Sequence, residues 1–131
     1  MKKFIALFAL FAGGAGSAVG ACGAPYMIAG NITTLLSGKI ARSPANCTGS
    51  GCQWQELHQA SGALIEQHSG TVADPAETVG TWRVQSTGPG SDTITHTYTG
   101  GSAYTYQVKD ERPTGGLTFC GSNGQFTFSV H

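Results

Sequence analysis

The stretch from Leu117 to Val130 reads LTFCGSNGQFTFSV, two alternating runs joined through Asn123-Gly124. Apolar and polar residues alternating at period two mark a half-buried strand. Asn-Gly is the strongest short-range signal for a two-residue type I′ turn, which needs φ > 0 at both central positions. With those residues in the loop, Leu117 faces Val130, Phe119 faces Phe128 and Gly121 faces Phe126 on one apolar face. Thr118 with Ser129, Cys120 with Thr127, and Ser122 with Gln125 make the opposite, polar face. A slip of one residue would spoil both faces, so the pattern predicts a half-buried antiparallel hairpin with Cys120 pointing away from the core.

The same reading extends upstream. Thr93–Lys109 predicts a second hairpin closed by Gly100-Gly101-Ser102. Ile94 is set against Val108, His96 against Tyr106 and Tyr98 against Tyr104, with Thr95, Thr97, Thr105 and Gln107 on the other face. Thr78–Gln85 reads as a strand carrying Gly80, Trp82 and Val84 on one face. Thr87–Asp92 is a breaker run, and Asp74-Pro75 a turn.

Gln53–His68 fits two patterns. Trp54, Leu57, His58, Ser61, Leu64, Ile65 and His68 fall at helical spacing. Gly62 in mid-stretch suits instead the left-handed position of an Ala60-Ser61-Gly62 hairpin loop, and the β-type segments that follow favour the hairpin. Ile32–Ala41 reads as a first strand, ended by Ser43-Pro44. The expected class is all-β, an antiparallel meander of about eight short strands forming a small barrel or a two-layer sandwich.

Residues 1–21 read as an export signal: basic Lys2-Lys3, an apolar run from Phe4 to Ala12, and a small-residue segment ending in Ala18-Val19-Gly20-Ala21. The apolar run is too short to span a bilayer, and no later stretch is apolar enough for a transmembrane helix. Residues 22–131 then form a single secreted or periplasmic domain. Its five basic side chains (Lys39, Arg42, Arg83, Lys109, Arg112) face seven acidic ones with no basic run, which argues against nucleic acid as a partner. Val19-Gly20-Ala21-Cys22 also matches a lipobox, making a lipid anchor at Cys22 the alternative.

Four cysteines beyond the signal favour two disulfides. Cys47 and Cys52 flank Thr48-Gly49-Ser50-Gly51, which suits a loop between the first two strands and favours Cys47–Cys52. That leaves Cys22–Cys120, with the lead-in lying over the outside of the last hairpin. The rival pairing is Cys47–Cys120 with Cys22–Cys52.

Trp54-x-Glu56, Ser61-Gly62-Ala63-Leu64 and Val79-Gly80-Thr81-Trp82-Arg83-Val84 together resemble small bacterial secreted β-domains, loosely calycin-like, of the lipocalin and avidin class. That resemblance implies a barrel and ligand binding. Gly100-Gly101-Ser102-Ala103-Tyr104 is similar to the Gly/Ser loop of small-barrel periplasmic lysozyme inhibitors, without the lysine expected after the alanine.

Two constellations carry candidate chemistry. The hairpin register places Glu56 opposite Glu66 and Trp54 opposite His68, with His58 on the same face. Two carboxylates and two imidazoles would then share one face, and opposed like charges call for a proton or a cation between them. Such a set would suit zinc or copper; an ordinary solvated face is the bland alternative. His96 with Tyr98, Tyr104 and Tyr106 would line a ligand pocket, or pack as core. No nucleophile motif and no phosphate-cradling glycine loop appear, so neither catalysis nor a cofactor is expected. The functions that remain are a non-enzymatic binding module for a small ligand or envelope protein, an inhibitor of a cell-wall hydrolase of the lysozyme type, and a metal-binding envelope protein.

Overall fold

The computed structural model describes residues 22–67, 77–88 and 90–131. The expected export signal at 1–21, His68 and the expected turn at Asp74-Pro75 lie outside the described residues. Eight strands, each antiparallel to the next, close into a barrel: β1 (Lys39–Ser43), β2 (Trp54–His58), β3 (Ala63–Glu66), β4 (Glu77–Gln85), β5 (Thr93–Tyr98), β6 (Ala103–Asp110), β7 (Leu117–Gly121) and β8 (Gly124–Val130). Closure comes from β1 pairing with β8 through Ala41 with Val130 and Arg42 with Ser129, so the meander is a barrel and not a sandwich. Period-two alternation places Leu117, Phe119, Phe126 and Phe128 inside, all buried. Phe119 and Phe128 stack with centroids 3.9 Å apart, and Trp54, Tyr106 and His96 pack around Phe119. The barrel axis is thus filled with aromatic side chains.

Ile32–Ala41 departs from its expectation. Ala29–Leu36 is a helix, α1, and the strand begins only at Lys39. Ile32 and Leu36, four residues apart on one helical face, are both completely buried. Gly38, at φ +77°, supplies the left-handed residue that ends the turn. Ile28, at the N-cap, gives no side-chain cap. The Ala29 N–H instead donates to Asp92 Oδ2 at 2.8 Å, across 63 residues of sequence. Asp92 Oδ1 also accepts the N–H groups of Thr87 and Gly88, and these backbone donors, Ala29 first, hold its carboxyl below its ordinary range. α1 packs against β1, β4 and β5 and closes the barrel end where β1 and β5 begin and β4 finishes.

Two hairpins keep their predicted faces but shift register by two residues. In β7–β8, Leu117 pairs with Phe128 and Phe119 with Phe126, and Ser122-Asn123 forms the loop between Gly121 and Gly124. Asn123 does not take a positive φ, so the type I′ turn is not formed; its Nδ2 donates to the Tyr106 hydroxyl at 3.0 Å. In β5–β6, Ile94 pairs with Tyr106 and His96 with Tyr104. Thr99 is drawn out of the ladder, its N–H and hydroxyl both donating to Val79 O at 2.8 and 3.1 Å. Gly100 and Gly101, at φ +106° and +105°, carry the longer loop. The β2–β3 hairpin has its expected register, with Glu56 opposite Glu66 and Gly62 at φ +102°.

Cys22 bonds Cys120 and Cys47 bonds Cys52, the pairs that the loop argument favours over the rival Cys47–Cys120 and Cys22–Cys52. The second bridge lies within the β1–β2 connection, around a short 3₁₀ turn at Gly49–Gly51. The lead-in crosses the outer face of β6–β7, where Lys109 Nζ donates to Pro25 O at 3.1 Å and the Met27 N–H to Val108 O at 2.8 Å. The Cys22 sulfur that a lipid anchor would require is bonded to Cys120. Two such bridges belong to an oxidising, exported environment. Among the described residues no helix is long and apolar enough to cross a membrane.

Candidate functional site

The barrel interior carries two polar layers. The lower one, toward α1, joins β2 to β5 across the lumen: His58 Nε2 and His96 Nε2 lie 2.9 Å apart, and both rings are buried. His58 Nδ1 sits 3.2 Å from the Glu56 carbonyl oxygen, so that nitrogen carries the proton and Nε2 accepts. His96 Nε2–H is therefore the donor of the pair, and both rings are neutral. Burial lowers both pKa values, that of His58 from 6.5 to about 4 and that of His96 well below its ordinary range. Trp82 packs edge-on against His58 and donates its indole N–H to Gln59 O at 2.8 Å.

The upper layer lies at the end opposite α1, where β2, β4, β6 and β8 begin and β3 and β5 finish. Glu56 is 1% exposed, and both its oxygens lie 3.0 Å from the Tyr98 hydroxyl, which donates to the carboxylate. Desolvation raises the Glu56 pKa from 4.5 to about 7; the Tyr98 hydrogen bond opposes that rise and the nearby Glu66 adds to it. Burial and the Glu56 charge together push the Tyr98 hydroxyl well above its ordinary value. Glu66, half-buried on β3, is the direct cross-strand partner of Glu56; its Oε1 is out of contact with solvent and has no hydrogen-bond partner among the described residues. Tyr98 and Tyr104 meet edge to face at 6.1 Å, both partly exposed, and Tyr106 stands behind them with its hydroxyl tied to Asn123. Gly80 makes room for this layer. A Cβ there would collide with the Thr97 carbonyl and come within 2.9 Å of Tyr98 Cα, so only glycine lets β4 approach β5 so closely.

The sequence-predicted residues divide between these layers. Glu56, His58 and Glu66 do share one face, and that face is the barrel interior. His58, however, turns toward His96 on β5, away from the carboxylates. Among the described residues no group of three His, Cys, Asp or Glu side chains is placed to hold a metal ion. His96 is core, while Tyr98 and Tyr104 reach the barrel end. Three features escape sequence reasoning: the His58–His96 contact, the Glu56–Tyr98 bond and the Asp92 cap. The first two join β2 to β5, which are not neighbours in the sheet. The third joins a helix to a loop that carries no signal except its turn residues.

Chemically the upper layer is a buried carboxylate with no positive charge facing it among the described residues, set beside a second carboxylate and three phenols. The one ion pair among the described residues joins Arg112 and Asp110 on the outside. Comparison with family models, with curated proteins and with solved structures finds no match to this chain.

Proposed function

We propose that this protein is an exported, non-enzymatic binding module, released by cleavage of residues 1–21, whose ligand site is the barrel end opposite α1. One observation carries the reading: Glu56 is buried at that end with a phenol as its hydrogen-bond donor and a second carboxylate facing it. A carboxylate in such a place costs several kcal/mol of desolvation unless something compensates it. In a purely structural core a neutral residue would serve better, and residues that break such rules concentrate at functional sites. The calycin-like resemblance of Trp54–Val84 supports the same end, because small barrels take ligands at their mouths.

A fragment screen followed by amide NMR shifts tests this. Saturable shifts clustered at Glu66, Tyr98, Tyr104 and the Gly100–Ser102 loop are expected. A screen whose only hits map to the outer face near Tyr26 and Gln107, or which has no hits, would refute it.

A further inference from the structure

We propose that the group this end of the barrel recognises is a small organic ammonium ion, seated between Glu56 and Glu66 and against the rings of Tyr98 and Tyr104. The proposal rests on the binding-module reading above and adds the chemistry of the ligand. Four observations converge on it. Glu56 is almost completely buried and faces no cation among the described residues. Glu66 lies directly opposite on the neighbouring strand, and its inaccessible Oε1 lacks a donor among the described residues. Among the described residues a single hydroxyl, that of Tyr98, serves both oxygens of Glu56, although a carboxylate can accept about four hydrogen bonds. Finally, two partly exposed phenol rings stand at the same rim.

An alkylammonium ion answers each of these. It brings one positive charge and three donors, enough to satisfy both carboxylates with short charge-assisted hydrogen bonds. Its charge is also attracted to aromatic rings. An anion is disfavoured, since it would meet two carboxylates. Among the described residues a divalent metal ion lacks the three or more ligands it normally takes, and His58 and His96 already satisfy each other.

The site is coupled to protons as well. Without a ligand, the charge conflict between Glu56 and Glu66 is relieved by a proton on Glu56, so cation and proton compete. Among the described residues the other titratable groups around it are Tyr98 and Tyr106, whose hydroxyls burial holds above their ordinary range, Tyr104, Glu77 opposite Glu66 on β4, and the neutral His58–His96 pair below. Cation affinity should therefore fall as pH drops below about 7.

The test uses the disulfide-bonded exported protein and three isosteric probes: phenethylammonium, 2-phenylethanol and 3-phenylpropionate. Amide NMR titration at pH 7.5 gives site and affinity, and the Glu56 side-chain carboxyl carbon gives its titration. We expect phenethylammonium to bind at least tenfold more tightly than the alcohol. The carboxylate should bind more weakly still. Saturation with the amine should lower the Glu56 midpoint by one pH unit or more, and Glu56→Gln and Glu66→Gln should each cost at least tenfold in amine affinity while leaving the spectrum folded. Equal binding of amine and alcohol at the same residues would overturn the ammonium assignment and leave the binding module standing. Tighter binding of the carboxylate, or an unmoved Glu56 midpoint, would overturn it too. If no fragment of any charge moves the Glu66, Tyr98 and Tyr104 amides, the binding-module reading falls with it.

Discussion

Replacing Glu56 by glutamine should make the protein more stable, and only above a definite pH. In the unfolded chain Glu56 loses its proton near 4.5, whereas in the barrel it holds that proton to about 7. Below pH 4.5 the carboxyl is neutral in both states and the burial penalty is absent. Between 4.5 and 7 the unfolded chain ionises first, and each pH unit costs the fold about 1.4 kcal/mol. At pH 7.5 the accumulated loss is about 3 kcal/mol, an order-of-magnitude figure for a fully buried group. Glutamine keeps the volume and an acceptor for the Tyr98 hydroxyl, and removes the like charge opposite Glu66. Glu56→Gln should therefore gain about 2–3 kcal/mol at pH 7.5 and close to nothing at pH 4.

The histidines give the experiment a second arm. His58 titrates near 4 when folded and near 6.5 when unfolded, so acid favours the unfolded chain across that interval, and His96 adds to the trend. In the native protein the Glu56 contribution rises as pH falls and offsets part of this loss. In the glutamine variant the offset is gone, and stability should drop steeply from pH 6.5 to 4. Guanidinium unfolding at half-unit steps from pH 4 to 8, with slopes compared to confirm an unchanged two-state transition, measures both arms. A variant whose gain is the same at pH 4.5 and pH 7.5 would refute the reasoning, because a simple packing improvement does not titrate. The sign also bears on function: a natural residue whose removal stabilises the fold is one retained for some other reason.

Asp92→Ala should destabilise α1 selectively, seen as faster amide exchange at Asn31–Leu36 with β7–β8 protection retained; the wild-type contribution should fade as acid protonates Asp92, whose folded pKa is depressed. Gly80→Ala should cost about 2–3 kcal/mol by chemical denaturation, since the added methyl meets backbone and not a flexible side chain; a variant within 0.5 kcal/mol of wild type would contradict the close β4–β5 approach. Replacing Cys22 and Cys120 together by serine should cost roughly 5 kcal/mol on the chain-entropy model and the same change at Cys47 and Cys52 roughly 2, because the bridges span 98 and 5 residues; equal losses would reject loop entropy as the cause.

Much of the barrel is legible in the residues themselves. Alternation fixes which side chains of Thr93–Val130 face inward, because a strand shows opposite sides at successive residues whatever it pairs with. Gly62 places the β2–β3 loop, and with it Glu56 opposite Glu66. Cysteine spacing, with the outward direction of Cys120, favours the disulfides that form, while the rival pairing is excluded only by the folded chain. What alternation does not distinguish is a register shifted by two, since every inward residue stays inward. That choice was made by tertiary contacts: the Asn123 bond to Tyr106 in one hairpin, and the pull of Val79 O on Thr99 in the other. The helix at Ala29–Leu36 belongs to the same class. Its β-branched Ile-Thr-Thr run suits a strand, but Asp92, 63 residues away, caps its first turn, and the barrel end needs Ile32 and Leu36 on one face. The candidate site itself depends on closure. Glu56 and Tyr98 lie three strands apart along the sheet, as do His58 and His96, and only a sheet curved shut brings their side chains together across its interior.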